Sequence, residues 1–438
     1  MRPASFDDNR SAWLSGLPPY TPLPPLRGGR TADIVVVGGG ITGVSAAWHL
    51  SERYPDRSVV LLEAKGLANG ASGRSGGQVL NGINGVEPRD PALARRVFAA
   101  TSAGIDIVEA LAARSAIDCG FSRRGCLEIY TTADSAASAQ TRVETWRGWG
   151  LPMRWLPASA VGMPGACGAV LDPGAARVNC AALLRGLRPA LLARGVAIHE
   201  QTPVLRVEDG ETLTLTTPEG SLRAAAVVLA TNGYSPRLGF FRGRILPLHS
   251  HVVATAPIDD ARWDALGLGD FVGFADDLDR IAYGARTHDR RLLFGGGSNA
   301  AYTYQFGGSP NYAASDARAA AHYDAVERCM RGYFPGLADT PVTHRWTGTL
   351  GLTFDRICSM GVMGPHRNVY YALGYSGHGL ALGALAGRVL RDLYSDDHDP
   401  WKDLPFYHKR LPLIPPEPLR WLGYQAYTRL TGQSPRRR

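Results

Sequence analysis

Gly38, Gly40, Gly43 and Glu63 are the residues whose types and spacing first specify a chemistry. Glycines in the order G-x-G-x-x-G let a chain turn tightly, let a pyrophosphate approach the backbone without a Cβ in its way, and let the next helix pack closely on a sheet. An acid twenty residues beyond the last of them can accept hydrogen bonds from both hydroxyls of an adenosine ribose, which disfavours a 2′-phosphate and hence NADP. These residues describe a dinucleotide site, for FAD or NAD, with the phosphates on N–H groups around Ile41 and Thr42 at the positive end of a helix.

Such residues need particular elements to hold them. Residues 34–37 are an apolar run that leads straight into the glycines, Ala46, Ala47 and Leu50 recur at helical spacing, and residues 59–62 form a second apolar strand that ends at Glu63, Ala64 and Lys65. The sequence therefore predicts strand, glycine turn, helix and strand, the context that gives the glycine pattern its weight. A second lean stretch, Gly70, Ala71, Ser72, Gly73, Arg74, Ser75, Gly76, Gly77 and Gln78, is too rich in glycine for a stable helix. It reads as a loop offering N–H groups and the Arg74 guanidinium to a ligand, or else as a plain surface loop.

The chain has 438 residues, enough for two interleaved domains, and its 45% hydrophobic and 20% charged content is that of a soluble globular protein. Its formal charge of +8 rests on scattered arginines, since Lys65, Lys402 and Lys409 are the only lysines. Apart from Arg436, Arg437 and Arg438 the arginines do not cluster, which argues against nucleic acid binding. The 6 cysteines show no CxxC pair and read as reduced thiols of a cytoplasmic protein. Residues 1–30 lack an apolar signal segment and read as an extended, Pro-rich leader, and no run is long enough for a membrane span. No metal site is expected, because no histidine has acidic or cysteine partners at ligand spacing.

Helices are predicted at 91–114, 141–149, 179–194 and 315–334, with strands near 125–131, 196–200, 203–207, 211–217, 221–225, 248–256, 281–286 and 291–294. A further buried strand, 227–229, runs into Ala230, Thr231, Asn232 and Gly233, a small-residue turn at the strand end where open sheets bind ligands. A late strand, 368–373, enters Gly374, Tyr375, Ser376, Gly377, His378 and Gly379, and a helix follows from Leu380. One complete G-x-G-x-x-G followed by this different terminal turn favours FAD, because a helix start beside the flavin stabilises negative charge on its reduced form. Residues 415–431 form an amphipathic tail that either packs on its own domain or lies at a membrane interface.

Together, DIVVVGGGITG, GASGRSGGQ, VVLATNGY and NVYYALGYSGHGLALGALAG resemble the D-amino-acid oxidase or glycine oxidase superfamily of FAD enzymes, over about residues 30 to 395. The second motif is most similar to the γ-glutamylputrescine oxidoreductase-like branch. The resemblance implies an α/β fold: an FAD-binding Rossmann-type (GR2-like) domain with an interleaved α+β substrate domain built on a mixed sheet. It implies an FAD domain from residues 31–90, 160–235 and 341–398, a substrate domain from 91–159 and 236–340, and a helical tail from 399 to 438. It also implies that Gly38, Gly40, Gly43, Glu63, Ala71, Ser72, Arg74, Gly76, Gly77, Gln78 and the backbone of Val204 contact the cofactor. Gly377, His378, Gly379 and Leu380 would line the flavin. The implied reaction takes hydride from a carbon bearing an amine onto flavin N5, giving an imine that water hydrolyses.

Departures from the pattern bear on mechanism. Relatives of the sarcosine oxidase type keep an oxygen-activating lysine in the strand matching Arg291 to Phe294, a carboxylate-anchoring lysine where this chain has Ala381, and a covalent flavin cysteine near Gly348. None is present, so dissociable FAD is expected and another cation must serve oxygen, if oxygen is the acceptor. Candidate catalytic residues are His378, His249 and His251, the latter two on one strand face, with Tyr283 as a pocket wall. Arg286 and Arg345 are candidate partners for a substrate carboxylate. Three readings follow: an amine or amino-acid oxidase, a dehydrogenase passing electrons to a quinone or carrier, and a non-catalytic flavoprotein.

Overall fold

The computed structural model describes residues 10–312 and 317–431, so the arginines at 436–438 and the predicted helix start at 315 lie outside the described residues. The strand Gly28–Val37 is central to the first sheet, with Ile34, Val35 and Val36 fully buried, as a strand covered on both faces requires. Gly220–Leu229 and Val59–Leu62 flank it in parallel, and Ala197–His199 and Val369–Leu373 extend the sheet on either side. Ser359–Met363 closes one edge antiparallel, and the hairpin Arg206–Glu208 and Leu213–Thr216 hangs from Gly220–Leu229.

Helices Ile41–Arg53, Pro91–Ala112 and Gly379–Tyr394 share the large core beside this sheet. They pack at close range: a Cβ on Gly387 would stand 2.3 Å from Ser45 Oγ, and one on Gly104 would stand 2.4 Å from the Ala381 carbonyl. Small residues at these crossings bring the early and late helices side by side.

The second sheet has nine strands in mixed order. Leu246–Thr255 pairs antiparallel with Leu292–Gly296, Tyr302–Thr303 and the long strand Val342–Leu352, and Cys126–Tyr130 joins Gly273–Asp276 in parallel. Helix Ala317–Tyr333 covers one face, with its Tyr333 ring against Phe274 and Phe294. The α/β fold with a mixed second sheet is the one expected. Gly168–Asp172 and Val342–Leu352 belong to the second sheet, although they lie within stretches the resemblance assigned to nucleotide binding.

Several expectations are corrected. The stretch 179–194 is two helices, Cys180–Gly186 and Arg188–Ala193, parted where Pro189 withholds an N–H. Residues 221–225 and 227–229 belong to one strand, and the helix at 141–149 starts at Ala133, where Thr132 Oγ1 caps the Ser135 N–H at 3.2 Å. The strand near 203–207 begins only at Arg206, and residues 71–74 form a 3₁₀ turn. The leader is not simply extended. Ala12–Ser15 is a helical turn with Trp13 and Leu14 buried. The tail is helical over Leu419–Thr431, and no helix among the described residues is long and apolar enough to cross a membrane.

Candidate active site

One cavity of about 1040 Å³ runs between the two sheets, at the top of the range of roughly 300–1,000 Å³ usual for small-molecule sites. Gly38, Gly40, Ile41, Thr42, Glu63, Ala64 and Val204 line one end of it. Gly38 has φ +112, the left-handed side that glycine tolerates, and a Cβ there would meet the Ala230 carbonyl at 2.8 Å. A Cβ on Gly43 would stand 1.8 Å from the Gly38 carbonyl, so this glycine sits behind the wall and lets the helix start against the turn. Glu63 Oε2 accepts the Gly39 N–H at 2.6 Å and Oε1 the Lys65 N–H at 3.0 Å. Burial raises the Glu63 pKa, and those two N–H donors oppose the rise.

Gly70, Ala71, Ser72, Arg74, Ser75, Gly76 and Gln78 form the neighbouring wall. Ser72 Oγ accepts the Ile41 N–H at 3.0 Å, which seats this loop on the first glycine turn. Arg74 is 4% exposed, with its Nη1 3.5 Å from the Thr347 carbonyl, and its own carbonyl accepts Trp346 Nε1–H at 3.0 Å. The leader grips the same loop from behind. Trp13 Nε1 donates to the Ser75 carbonyl at 2.7 Å, Ser11 Oγ donates to the Gly73 carbonyl at 2.5 Å, and Gly77 lies against the Trp13 ring. Buried Glu200 anchors that leader by accepting Tyr20 OH at 2.5 Å and the Leu23 N–H at 2.8 Å.

The terminal turn reaches the cavity through Gly377, His378, Gly379 and Leu380, where the helix Gly379–Tyr394 begins. Gly374 lies just behind and donates its N–H to Asn232 Oδ1 at 2.9 Å. Ala230, Thr231, Asn232 and Gly233 line the space between the two glycine turns. Thus Gly43, Lys65, Gly77 and Gly374 stand beside the cavity, while the other expected cofactor positions lie on its wall.

The second sheet supplies the opposite wall. Tyr283 OH and Ser250 Oγ lie 3.0 Å apart, and burial pushes the Tyr283 hydroxyl up to about 12, so it is neutral at physiological pH. Gly348, Thr349 and Gly351 continue this wall. A Cβ on Gly348 would stand 3.2 Å from the Arg74 carbonyl, and one on Gly351 would stand 2.4 Å from Asn232 Oδ1. The two glycines let the strand approach the nucleotide-side turns.

Four candidates do not reach the cavity. His249 and His251 point to the far side of their strand, while the intervening Ser250 faces in, as the two-residue period dictates. They are buried among Tyr312, His322 and Tyr323. Arg286 pairs with Asp260 at 2.6 Å and lies over Trp263, and Arg345 pairs with Asp324 at 3.0 Å and Glu327 at 2.8 Å. Both arginines are already neutralised on the outer face of the sheet. The residues that sequence reasoning passed over are Ser250, Asp279, Arg280, Arg356 and Arg237, all on the cavity wall. The signal available was the Asp-rich turn ADDLDR just before the Ala282–Arg286 strand.

The residues present fit FAD: two glycine turns and a buried arginine loop border one elongated space with a carboxylate at its end. A side chain at Gly377, φ +106, would enter open space, which leaves the terminal turn bare toward a ligand. Among the described residues no group of histidine, cysteine and acidic side chains could hold a metal ion.

Residues 33–393 match the family described as DAO, FAD dependent oxidoreductase. The chain is 30% identical to the gamma-glutamylputrescine oxidoreductase of Escherichia coli (strain K12) over 89% of its length and 90% of that protein. It is 28% identical to a probable oxidoreductase, OrdL, of Haemophilus influenzae (strain ATCC 51907 / DSM 11121 / KW20 / Rd), covering 86% of each. The fold superposes on glycine oxidase from Geobacillus kaustophilus with a TM-score of 0.70 at 22% identity, covering 87% of this chain and 99% of that one. With the match spanning most of the chain and the fold and glycine turns in agreement, this protein belongs to the FAD dependent oxidoreductase (DAO) family and is an enzyme that uses FAD.

Proposed function

We propose that the enzyme oxidises the C–N bond of a γ-glutamylputrescine-like amine, or of an N-alkyl amino acid, to an imine that water then hydrolyses. One observation carries this reading. The cavity that runs past both glycine turns is walled opposite them by neutral hydroxyls, Tyr283 and Ser250, and by apolar Leu248 and Val252. Ala381, where sarcosine oxidase-like relatives keep a lysine, is 1% exposed and packs against Gly104, so it brings no charge to that space. An amine whose carboxylate lies far from the reacting carbon suits such a wall, and the likeness to gamma-glutamylputrescine oxidoreductase supports that class.

FAD, held by the two glycine turns and the Arg74 loop, would supply the acceptor for a hydride from the carbon that bears the nitrogen. The chain's own part is to bind, orient and dehydrate. A substrate amine enclosed beside Leu248 and Val252 loses solvation, which lowers its pKa and favours the neutral form that can be oxidised. Tyr283 and Ser250 offer that nitrogen hydrogen-bond partners that stay uncharged. His378, at the helix start, adds a polar group to the opposite wall.

Transfer of electrons to a quinone or carrier, rather than to oxygen, is a second reading favoured by the absence of lysine from the described cavity wall. Anaerobic mixing with a panel of amines, read by bleaching of the flavin band, tests the main reading. Bleaching by γ-glutamyl amines supports it, and a band unchanged by every amine and amino acid sinks it. Peroxide release compared with dye reduction in the same turnover assay separates the two acceptors.

A further inference from the structure

We infer that Asp279 and Arg280 form a subsite for a zwitterionic α-amino-carboxylate head carried by the substrate at the end remote from the oxidised nitrogen; this rests on the amine-oxidation reading above. Both residues line the cavity, and Arg280 is 6% exposed. Arg280 Nε donates to Asn299 Oδ1 at 2.8 Å, its guanidinium carbon lies 4.9 Å from the centre of the Tyr427 ring, and Nη1 is 3.4 Å from Asp279 Oδ2. Its Nη2 is buried and has no hydrogen-bond partner among the described residues. Asp279 Oδ1 accepts Tyr427 OH at 2.6 Å and lies 3.6 Å from Arg356 Nη2, whereas its Oδ2 has no hydrogen-bond partner among the described residues.

Two adjacent side chains of opposite charge thus each keep hydrogen-bonding capacity: Arg280 Nη2 donates to no described residue, and Asp279 Oδ2 makes only the 3.4 Å ion pair to Arg280 Nη1. Buried polar groups of this kind are ordinarily satisfied. A ligand that satisfies both carries an anion and a cation a few ångströms apart, as a carboxylate and an ammonium on one carbon do. Arg280 and Arg356 both flank the Asp279 carboxylate on this wall, so the ligand's carboxylate is the stronger anchor.

Position agrees with this role. Arg280 precedes Tyr283 by three residues, a reach of at most about 11 Å, which a glutamyl side chain and its amide can cover. The helix Leu419–Thr431 closes the subsite from outside, with Tyr427 bonded to Asp279 and Tyr424 OH donating to the Tyr302 carbonyl at 2.8 Å. Arg280 and Asp279 are substrate-positioning residues in this assignment.

The test compares kcat/KM for γ-glutamylputrescine, glutarylputrescine and N-acetylputrescine in the FAD-loaded wild type and in Arg280→Met, Arg280→Lys and Asp279→Asn. The expected result is a ratio of glutamyl to acetyl substrate that falls at least about 30-fold in Arg280→Met and partly recovers in Arg280→Lys. Asp279→Asn is expected to erase the preference for glutamyl over glutaryl substrate. Calorimetric binding of γ-glutamylmethylamide, a head without the oxidisable amine, should be lost in Arg280→Met. Ratios unchanged in all variants overturn the subsite, as does oxidation of all three amines at one rate by the wild type, and both outcomes leave the amine-oxidation reading standing. Oxidation of none of them, with Arg280-dependent binding of the methylamide intact, would sink that reading and keep the head subsite.

Discussion

The Tyr375 hydroxyl lies 2.8 Å from Thr42 Oγ1, a hydrogen bond that fastens the last glycine turn of the chain to the first. Both partners are buried, so the bond holds two walls of one cavity at a fixed separation. Tyr375→Phe leaves Thr42 without that partner, at a cost of about 1 kcal/mol. The expected outcome is FAD binding weakened about 5-fold, measured by fluorescence titration of the apoprotein.

Gly43 and Gly40 should respond differently to the same substitution. A Cβ on Gly43 collides with the Gly38 carbonyl at 1.8 Å, while one on Gly40 meets only Ser72 Oγ at 3.0 Å, a group that can rotate away. Gly43→Ala is expected to yield protein without flavin absorbance. Gly40→Ala is expected to fold and to retain part of its FAD, and the absorbance spectra of the two purified variants decide it.

Trp13 reaches the cofactor loop from outside both sheets, 3% exposed and hydrogen-bonded to Ser75. Trp13→Ala should cost about 3–5 kcal/mol through lost packing, a large part of the stability of an ordinary domain. Melting curves should show a clear drop in Tm together with loss of FAD. Trp13→Phe, which keeps most of the ring but not the N–H, should lie between the two.

Acid stability should report on His251. Burial first, then the neighbouring His322 and His249, pushes its pKa down to about 2 from the ordinary 6.5. Between these values the unfolded chain binds a proton that the folded protein refuses, so this stability is present above pH 6.5 and is lost as pH falls through the window. The slope is up to about 1.4 kcal/mol per pH unit for this one group. Urea unfolding at pH 7.5, 6.0 and 5.0 should show the loss, and His251→Gln should flatten it.

The nucleotide unit was legible because its information is local: the glycines, the helix spacing and Glu63 fall within about thirty residues of chain. The strand Val342–Leu352 was not. Gly348 and Gly351 interrupt its pattern, and the reason for them, close approach to Arg74 and Asn232, exists only in the assembled fold. Trp13 was hidden for a similar reason, since its partner Ser75 is 62 residues away. Among the arginines, sequence cannot separate Arg286 and Arg345, which found acids on the outer surface, from Arg280, whose place is fixed by Tyr427 in the last helix.

That last helix, Leu419–Thr431, contributes Leu419, Arg420, Gly423, Tyr424 and Tyr427 to the cavity and nothing to either glycine turn. Selectivity can therefore evolve separately from redox power. A combinatorial library confined to these five codons would sample new amines while the flavin grip stays as inherited, and exchanging the segment between homologues would transplant preference without rebuilding the oxidant.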